Sequence, residues 1–136
     1  MKTTPDRPFM HPLKVQDEDI DDMGHVNNVV YLRWFQEVAD MHWKSLTDDT
    51  QRKTMQWVVL RHEIDYRHQA FLGDTPYALT WVGDTQALRS IRHIQLFNQS
   101  GILLSEAKTT WCLVDPVSRK PRRIGAAVRK LLGLED

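Results

Sequence analysis

The sequence predicts an α+β domain in which an antiparallel sheet packs against one long, nearly buried helix. Three observations carry that expectation. Residues 28–46 read as a helix with a single narrow polar stripe, several later runs alternate polar and apolar residues with period two, and turn-forming clusters separate those runs.

In chain order, residues 1–10 carry two prolines and few apolar groups and read as a loose arm. Leu13 and Val15 alternate over residues 11–16, which suggests a first strand. An acidic loop leads through Gly24 to the helix over 28–46. On a helical wheel Arg33, Glu37, Asp40 and Lys44, broadened by Gln36, form the wet stripe. Almost all the rest is apolar: Val29, Val30, Leu32, Trp34, Phe35, Val38, Ala39, Met41 and Trp43. So narrow a polar face requires cover over most of the circumference, which a curling sheet can supply. Val58, Leu60, His62, Ile64 and Tyr66 then alternate with charged residues as one strand. The run Leu72-Gly73-Asp74-Thr75-Pro76 is turn chemistry, and Tyr77, Leu79 and Trp81 alternate up to a break at Gly83-Asp84. Strands are expected over 89–97 and 102–114, joined by an Asn98-Gln99-Ser100-Gly101 turn and ended by Asp115-Pro116. Ile124, Ala127, Val128, Leu131 and Leu132 fall at helical spacing, predicting a short amphipathic helix over 121–134.

The chain has 136 residues, 18 Lys+Arg against 18 Asp+Glu, and no internal repeat or linker, as expected of a single domain over 1–136. Zero net charge argues against a general binder of nucleic acid or anionic membrane, which needs a basic excess. With 41% apolar residues and five Trp, disorder is excluded. No apolar run is long enough to suggest a membrane span, and the first residues lack the apolar stretch of a signal peptide. The single cysteine, Cys112, lies in an apolar run and reads as a buried thiol in a reducing, cytoplasmic setting.

The conspicuous local feature is Asp17-Glu18-Asp19-Ile20-Asp21-Asp22-Met23-Gly24-His25-Val26-Asn27-Asn28. It is not an EF-hand loop, because the glycine and terminal glutamate that such a loop needs are Asp22 and Asn28 here. A carboxylate beside the start of a long helix has a different use. The first turn leaves backbone N–H groups without partners, and those donors, at the positive end of the helix dipole, can hold an oxyanion. The same acidic residues would serve equally well to cap the helix and solvate the loop.

The run from Asp21 through Asn28, followed by Tyr31-Leu32-Arg33-Trp34-Phe35, resembles the signature of hotdog-fold acyl-CoA thioesterases of the 4-hydroxybenzoyl-CoA thioesterase type. The resemblance continues through Ile64-Asp65-Tyr66-Arg67, Ala70, Gly73-Asp74, Arg89-Ser90 and Lys120-Pro121, so it spans most of the chain. It implies a hotdog fold, a five-stranded antiparallel sheet wrapped around a central helix, and hydrolysis of an acyl-CoA to a carboxylic acid and free coenzyme A. By position, Asp21 matches the catalytic carboxylate, as nucleophile or general base. Asp19 matches a structural acid, and Asn28 supplies the backbone N–H that binds the thioester oxygen. Gly24, Val26, Asn27, Tyr31, Arg89 and Ser90 are implied substrate contacts, with Arg89 near the coenzyme A phosphates. Gln69 stands where many relatives have proline. The resemblance also implies that subunits pair and share the site, as a homodimer or homotetramer, and it calls for no metal or cofactor beyond the coenzyme A of the substrate.

Two alternatives are a hydratase or dehydratase acting through His25 and a non-catalytic domain that only binds acyl thioesters. The only glutamate on the helix is Glu37, for which an ion pair with Arg33 is the simpler expectation. His62 and His68 do not form a compact ligand set, so no metal is expected. The basic tail, with Arg119, Lys120, Arg122, Arg123, Arg129 and Lys130, reads as a solvated face that could also meet phosphate. One or two of the tryptophans, and Met41, Trp57 or Phe71, are candidates for an acyl pocket.

Overall fold

A computed structural model describes residues 2–134; Met1 of the expected arm, and Glu135 and Asp136 at the end of the expected domain, lie outside the described residues. The elements in order are β1 (Phe9–Pro12), a 3-10 turn (Asp17–Asp19), α1 (Asn28–Leu46), α2 (Asp49–Arg52), β2 (Gln56–Tyr66), β3 (Tyr77–Gln86), β4 (Arg89–Phe97), β5 (Leu103–Val114) and α3 (Ala126–Leu131). All strand pairs are antiparallel, in the order β1-β3-β4-β5-β2. This is the hotdog arrangement, with α1 held in the curl of the sheet.

Helix α1 runs over the predicted residues, and its wet stripe is where the wheel puts it: Arg33, Gln36, Glu37, Asp40 and Lys44 are all exposed. Val30, Tyr31, Trp34, Phe35 and Val38 pack against Leu13, Val15, Ala78, Ile94, Leu96, Leu104 and Ala107. A second cluster joins Trp43 and Met55 to Val82, Leu113, Ile124, Val128 and Leu132, so α3 closes the far end of the same core. The cover is incomplete at the helix start, where Val29 is 70% exposed.

Several expectations need correction. The first strand lies earlier than residues 11–16. Phe9 to Pro12 pair with β3, whereas Leu13 and Val15 alternate because they are buried in the core, beyond the paired residues. The N-terminal arm is therefore partly docked, and the Val82 N–H donates to Thr3 Oγ1. In β2 the register slips between Val59 and Arg61, leaving Leu60 without a cross-strand partner and exposed. The bulge turns Trp57 and Val59, rather than Val58 and Leu60, to the same side as His62, Ile64 and Tyr66. Strand β3 does not end at Gly83-Asp84; it bulges there and pairs on to Gln86. A Cβ on Gly83 would lie 2.7 Å from His93 Nε2, so a larger residue would have to displace that ring from its stack on Trp81. The terminal helix covers Ala126–Leu131 rather than 121–134. Arg33 and Glu37 do not pair: Arg33 bonds Asp19 and Glu37 bonds His11.

Because Trp34 is 1% exposed in the principal cluster, Trp34→Ala is expected to lower unfolding free energy by about 3–5 kcal/mol. Val117→Ala, at a site 91% exposed, should change it by less than about 0.5 kcal/mol in the same denaturant titration.

Candidate active site

The loop before α1 is built by short-range bonds that its sequence makes available. Ile20 and Val26 form an isolated antiparallel bridge, and the Asp21 N–H donates to the His25 carbonyl at 2.7 Å. The return turn between them needs a left-handed residue, supplied by Gly24 at φ 82°. Val26 is buried, and its N–H donates to the Ala70 carbonyl, tying the loop to the segment after β2.

Asp19 anchors this loop to the helix. Its carboxylate is 1% exposed, and it accepts from Arg33 Nη2 at 2.9 Å and from the Gln16 N–H at 2.8 Å. The Asp19 carbonyl in turn accepts from the Asn27 N–H. Asp19 therefore sets the position of the helix start, the structural role its place in the motif implies.

Asp21 divides its carboxylate. Oδ1 accepts from the N–H groups of Met23 and His25 at 2.9 and 3.1 Å, which fixes the side chain, while Oδ2 makes no bond among the described residues. One oxygen is committed to the loop and the other is available to a ligand or water. At the helix start, Asn27 is the N-cap, its Oδ1 accepting from the Val29 N–H at 3.1 Å. The N–H of Asn28 has no hydrogen-bond partner among the described residues. It is an orphan donor at the positive end of a 19-residue helix.

The other candidates divide between two ends of the sheet. His25 turns its ring edge-on to Phe71, with centroids 5.3 Å apart, and Glu37 is engaged by His11, so the histidine–acid pair of a dehydratase is not assembled. Tyr31 is 1% exposed and stacks between Trp34 and Tyr66, and its hydroxyl donates to the His68 carbonyl. Burial pushes the pKa of that hydroxyl up to about 12, keeping it a donor that ties α1 to the segment after β2, and the buried ring leaves no surface for a substrate. Arg89 is exposed at the start of β4, and Ser90 is buried with its Oγ 2.8 Å from Thr85 Oγ1. These two are not brought to Asp21 within one chain. Tyr66, beside the helix start, pairs with Ser105, whereas Arg89 pairs with Cys112, seven positions further along β5. That separation is roughly 24 Å of strand.

Ser90 belongs instead to a cavity of about 360 Å³ between the second half of α1 and the sheet. Its walls include Trp43, Met55, Trp57, Val82, Trp111 and Leu132, with Arg92 among them. Of the residues proposed from sequence for an acyl pocket, Trp57 lines it and Met41 and Phe71 do not. Sequence reasoning missed Arg92, although its period-two phase with Ile94 and Leu96 marked it as facing inward.

Arg92 is 7% exposed, and its Nη1 donates to His42 Nδ1 at 2.9 Å and to Thr80 Oγ1 at 3.0 Å. Because a guanidinium only donates, Nδ1 of His42 must accept and the imidazole is held neutral. Burial, helped by the adjacent Arg92 charge, lowers the His42 pKa to about 4.

The profile of the thioesterase-like superfamily matches residues 15–132. A putative acyl-CoA thioesterase, YneP, of Bacillus subtilis is 25% identical over 114 residues, covering 80% of this chain and 81% of its own. Among solved structures, a Staphylococcus aureus protein in complex with CoA superposes with TM-score 0.84 at 18% identity, over 98% of this chain and 84% of that one. A 1,4-dihydroxy-2-naphthoyl-CoA thioesterase from Synechocystis gives 0.81 at 18% identity, over 93% and 96%. The chain belongs to the thioesterase-like superfamily.

The neutral buried imidazole has a consequence for stability. Between pH 6.5 and about 4 the unfolded chain binds a proton at His42 that the folded chain does not. Stability therefore falls as pH drops through that window, by up to about 1.4 kcal/mol per pH unit from this group, and the slope ends below about pH 4. Denaturant titrations from pH 4 to 7 should show the slope in wild type and a shallower one in His42→Gln, which keeps an acceptor for Arg92; burial lowers the pKa of His62 and His93 too, so part of the slope remains.

Proposed function

We propose that the protein is an acyl-CoA thioesterase, with Asp21 as its catalytic carboxylate and the Asn28 N–H as its oxyanion donor. The observation that carries this reading is the half-committed carboxylate of Asp21, fixed through Oδ1 and free at Oδ2, in the loop that starts α1. As general base, Oδ2 takes a proton from water while the water oxygen attacks the thioester carbonyl carbon. As nucleophile, Oδ2 attacks that carbon itself, and water then hydrolyses the anhydride. In both routes the C–S bond breaks, the thiolate leaves and is protonated, and the carbonyl oxygen carries negative charge that the Asn28 N–H meets. Gly24 and Asn27, both exposed, border the carbonyl, Val26 is buried behind them and fixes the loop, and Arg89 offers an exposed guanidinium to a coenzyme A phosphate. Working as a cytoplasmic enzyme fits the buried single thiol, Cys112. No helix among the described residues is long and apolar enough to cross a membrane.

The reading includes pairing of two chains. Strand β2 is an 11-residue edge, with Leu60 and Tyr66 exposed, and an open edge of that length is a pairing surface. Antiparallel self-pairing about a two-fold axis sets its Tyr66 end beside the Gln56 end of its mate. The helix start of one protomer then faces the cavity of the other, which resolves the separation of Asp21 from Ser90 and the acyl-sized pocket. The working unit is a homodimer, with room for a homotetramer by pairing of dimers.

Two experiments check these statements. Asp21→Asn keeps the Oδ1 acceptor, so it should fold as wild type yet lose about 10²–10⁴-fold in kcat for thiol release from acyl-CoA; activity within threefold of wild type would remove Asp21 from the mechanism. Asp21→Asn and the cavity-filling Ala39→Phe, each inactive alone and each checked by circular dichroism, should recover about a quarter of wild-type activity when refolded together. Half of the dimers are then mixed, and each mixed dimer has one intact shared site. No recovery would place the whole site within one chain.

A further inference from the structure

The cavity beside α1 contains a charge that the chain does not neutralise. Arg92 projects from β4 into walls otherwise dominated by Trp43, Trp57, Val82 and Leu132. Its hydrogen-bond partners, His42 Nδ1 and Thr80 Oγ1, are both neutral, and no carboxylate lies within ion-pair distance of it among the described residues. Both bonds use Nη1, which leaves Nη2 and Nε uncommitted. Burial lowers its pKa only to about 10, so it is a cation at neutral pH. The one acid on the cavity lining, Asp40, is held at the mouth by Lys44 at 2.9 Å.

A buried cation without a counter-ion is costly, and a ligand that brings an anionic acceptor relieves that cost. Gln36, Arg52, Gln56 and Ser90 also line the cavity, but Trp43, Met55, Trp57, Val82 and Leu132 give it a largely apolar wall that suits hydrocarbon in the rest of that ligand. A cavity of 360 Å³ lies within the range for small molecules. We propose that the cavity receives the acyl chain of the thioester and that Arg92 selects acyl groups ending in a carboxylate, the half-thioesters of dicarboxylic acids. This rests on the thioesterase reading above for its placement of the cavity beside the reacting carbonyl.

The test compares octanoyl-CoA with its ω-carboxy analogue of equal chain length. Wild type is expected to prefer the ω-carboxy substrate in kcat/KM. Arg92→Met, which keeps length and apolar contact, should reduce the preference ratio by about 10- to 100-fold, the worth of a hydrogen bond to a charged group. Arg92→Gln, which removes the charge but keeps an amide donor for His42 and Thr80, should reduce it by a similar factor and serves if Arg92→Met fails to fold. A wild-type preference for octanoyl-CoA, or a ratio unmoved in both variants, overturns the assignment while leaving thioester hydrolysis standing. A second readout does not need turnover: three tryptophans line the cavity, so free octanedioate and octanoate can be titrated by quenching of intrinsic fluorescence. Saturable quenching by octanedioate that Arg92→Met abolishes, with no acyl-CoA hydrolysed by wild type, supports the cavity assignment and defeats the enzyme reading instead. Equal or absent quenching by the two acids overturns the cavity assignment.

Discussion

The cover of α1 is the constraint on which the rest of the structure depends. Its polar stripe is one residue wide at most levels, so nearly all of its circumference must leave water. One five-stranded sheet reaches the middle of the helix well, where Tyr31, Trp34, Phe35 and Val38 are almost completely buried. It does not reach both ends. At the start Val29 remains exposed, and beside the second half a cavity opens between the helix, at Ala39 and Trp43, and the sheet. The incompletely covered ends are where the candidate chemistry lies, about 16 Å apart along the helix axis from Asn28 to Ala39.

The placement of the loop follows from the same helix. Arg33 belongs to the polar stripe, yet its guanidinium reaches back to Asp19, a carboxylate 1% exposed, rather than forward to Glu37. An exposed surface pair with Glu37 would add only a few tenths of a kcal/mol. A buried carboxylate has no comparable substitute: without Arg33 it would lose a charged partner in low dielectric. The stronger need wins, and the result is a loop whose backbone is fastened to the helix on both sides of Asp21. A carboxylate that spends one oxygen on its own loop is held in orientation without being neutralised.

What local sequence could show divides along the same physical line. The bounds of α1 and β4, and the hairpin between β4 and β5, follow from periodicity and turn residues that are neighbours in the chain. The phase of β2 does not, because the slip at Leu60 is fixed by the register of Thr109 and Trp111 on another strand. Leu13 and Val15 alternate like a strand because burial, which alternation reports, is not pairing. The Asp21 loop was recognisable because its parts are contiguous from Asp17 to Asn28. Arg89 and Ser90 could be named as contacts but not placed, since only the sheet order reveals that they stand at its opposite end.

Arg92 is the residue that sequence reasoning most readily passes over, because an arginine between Ile91 and His93 resembles any exposed charge on a strand. Its phase argues otherwise: Ser90, Arg92, Ile94 and Leu96 all face the helix, and all are buried. An inward arginine is tolerated in a folded core only when its donors are met, and here the chain meets one nitrogen with a neutral imidazole and a hydroxyl. Burial keeps His42 neutral, and the contact with the guanidinium adds to it, since protonation would set two cations side by side. A methionine at position 92 would fill the space without any of these demands. Retaining a cation there makes sense physically if the missing counter-charge arrives with a ligand, whose affinity then includes the desolvation that the protein has already borne on folding.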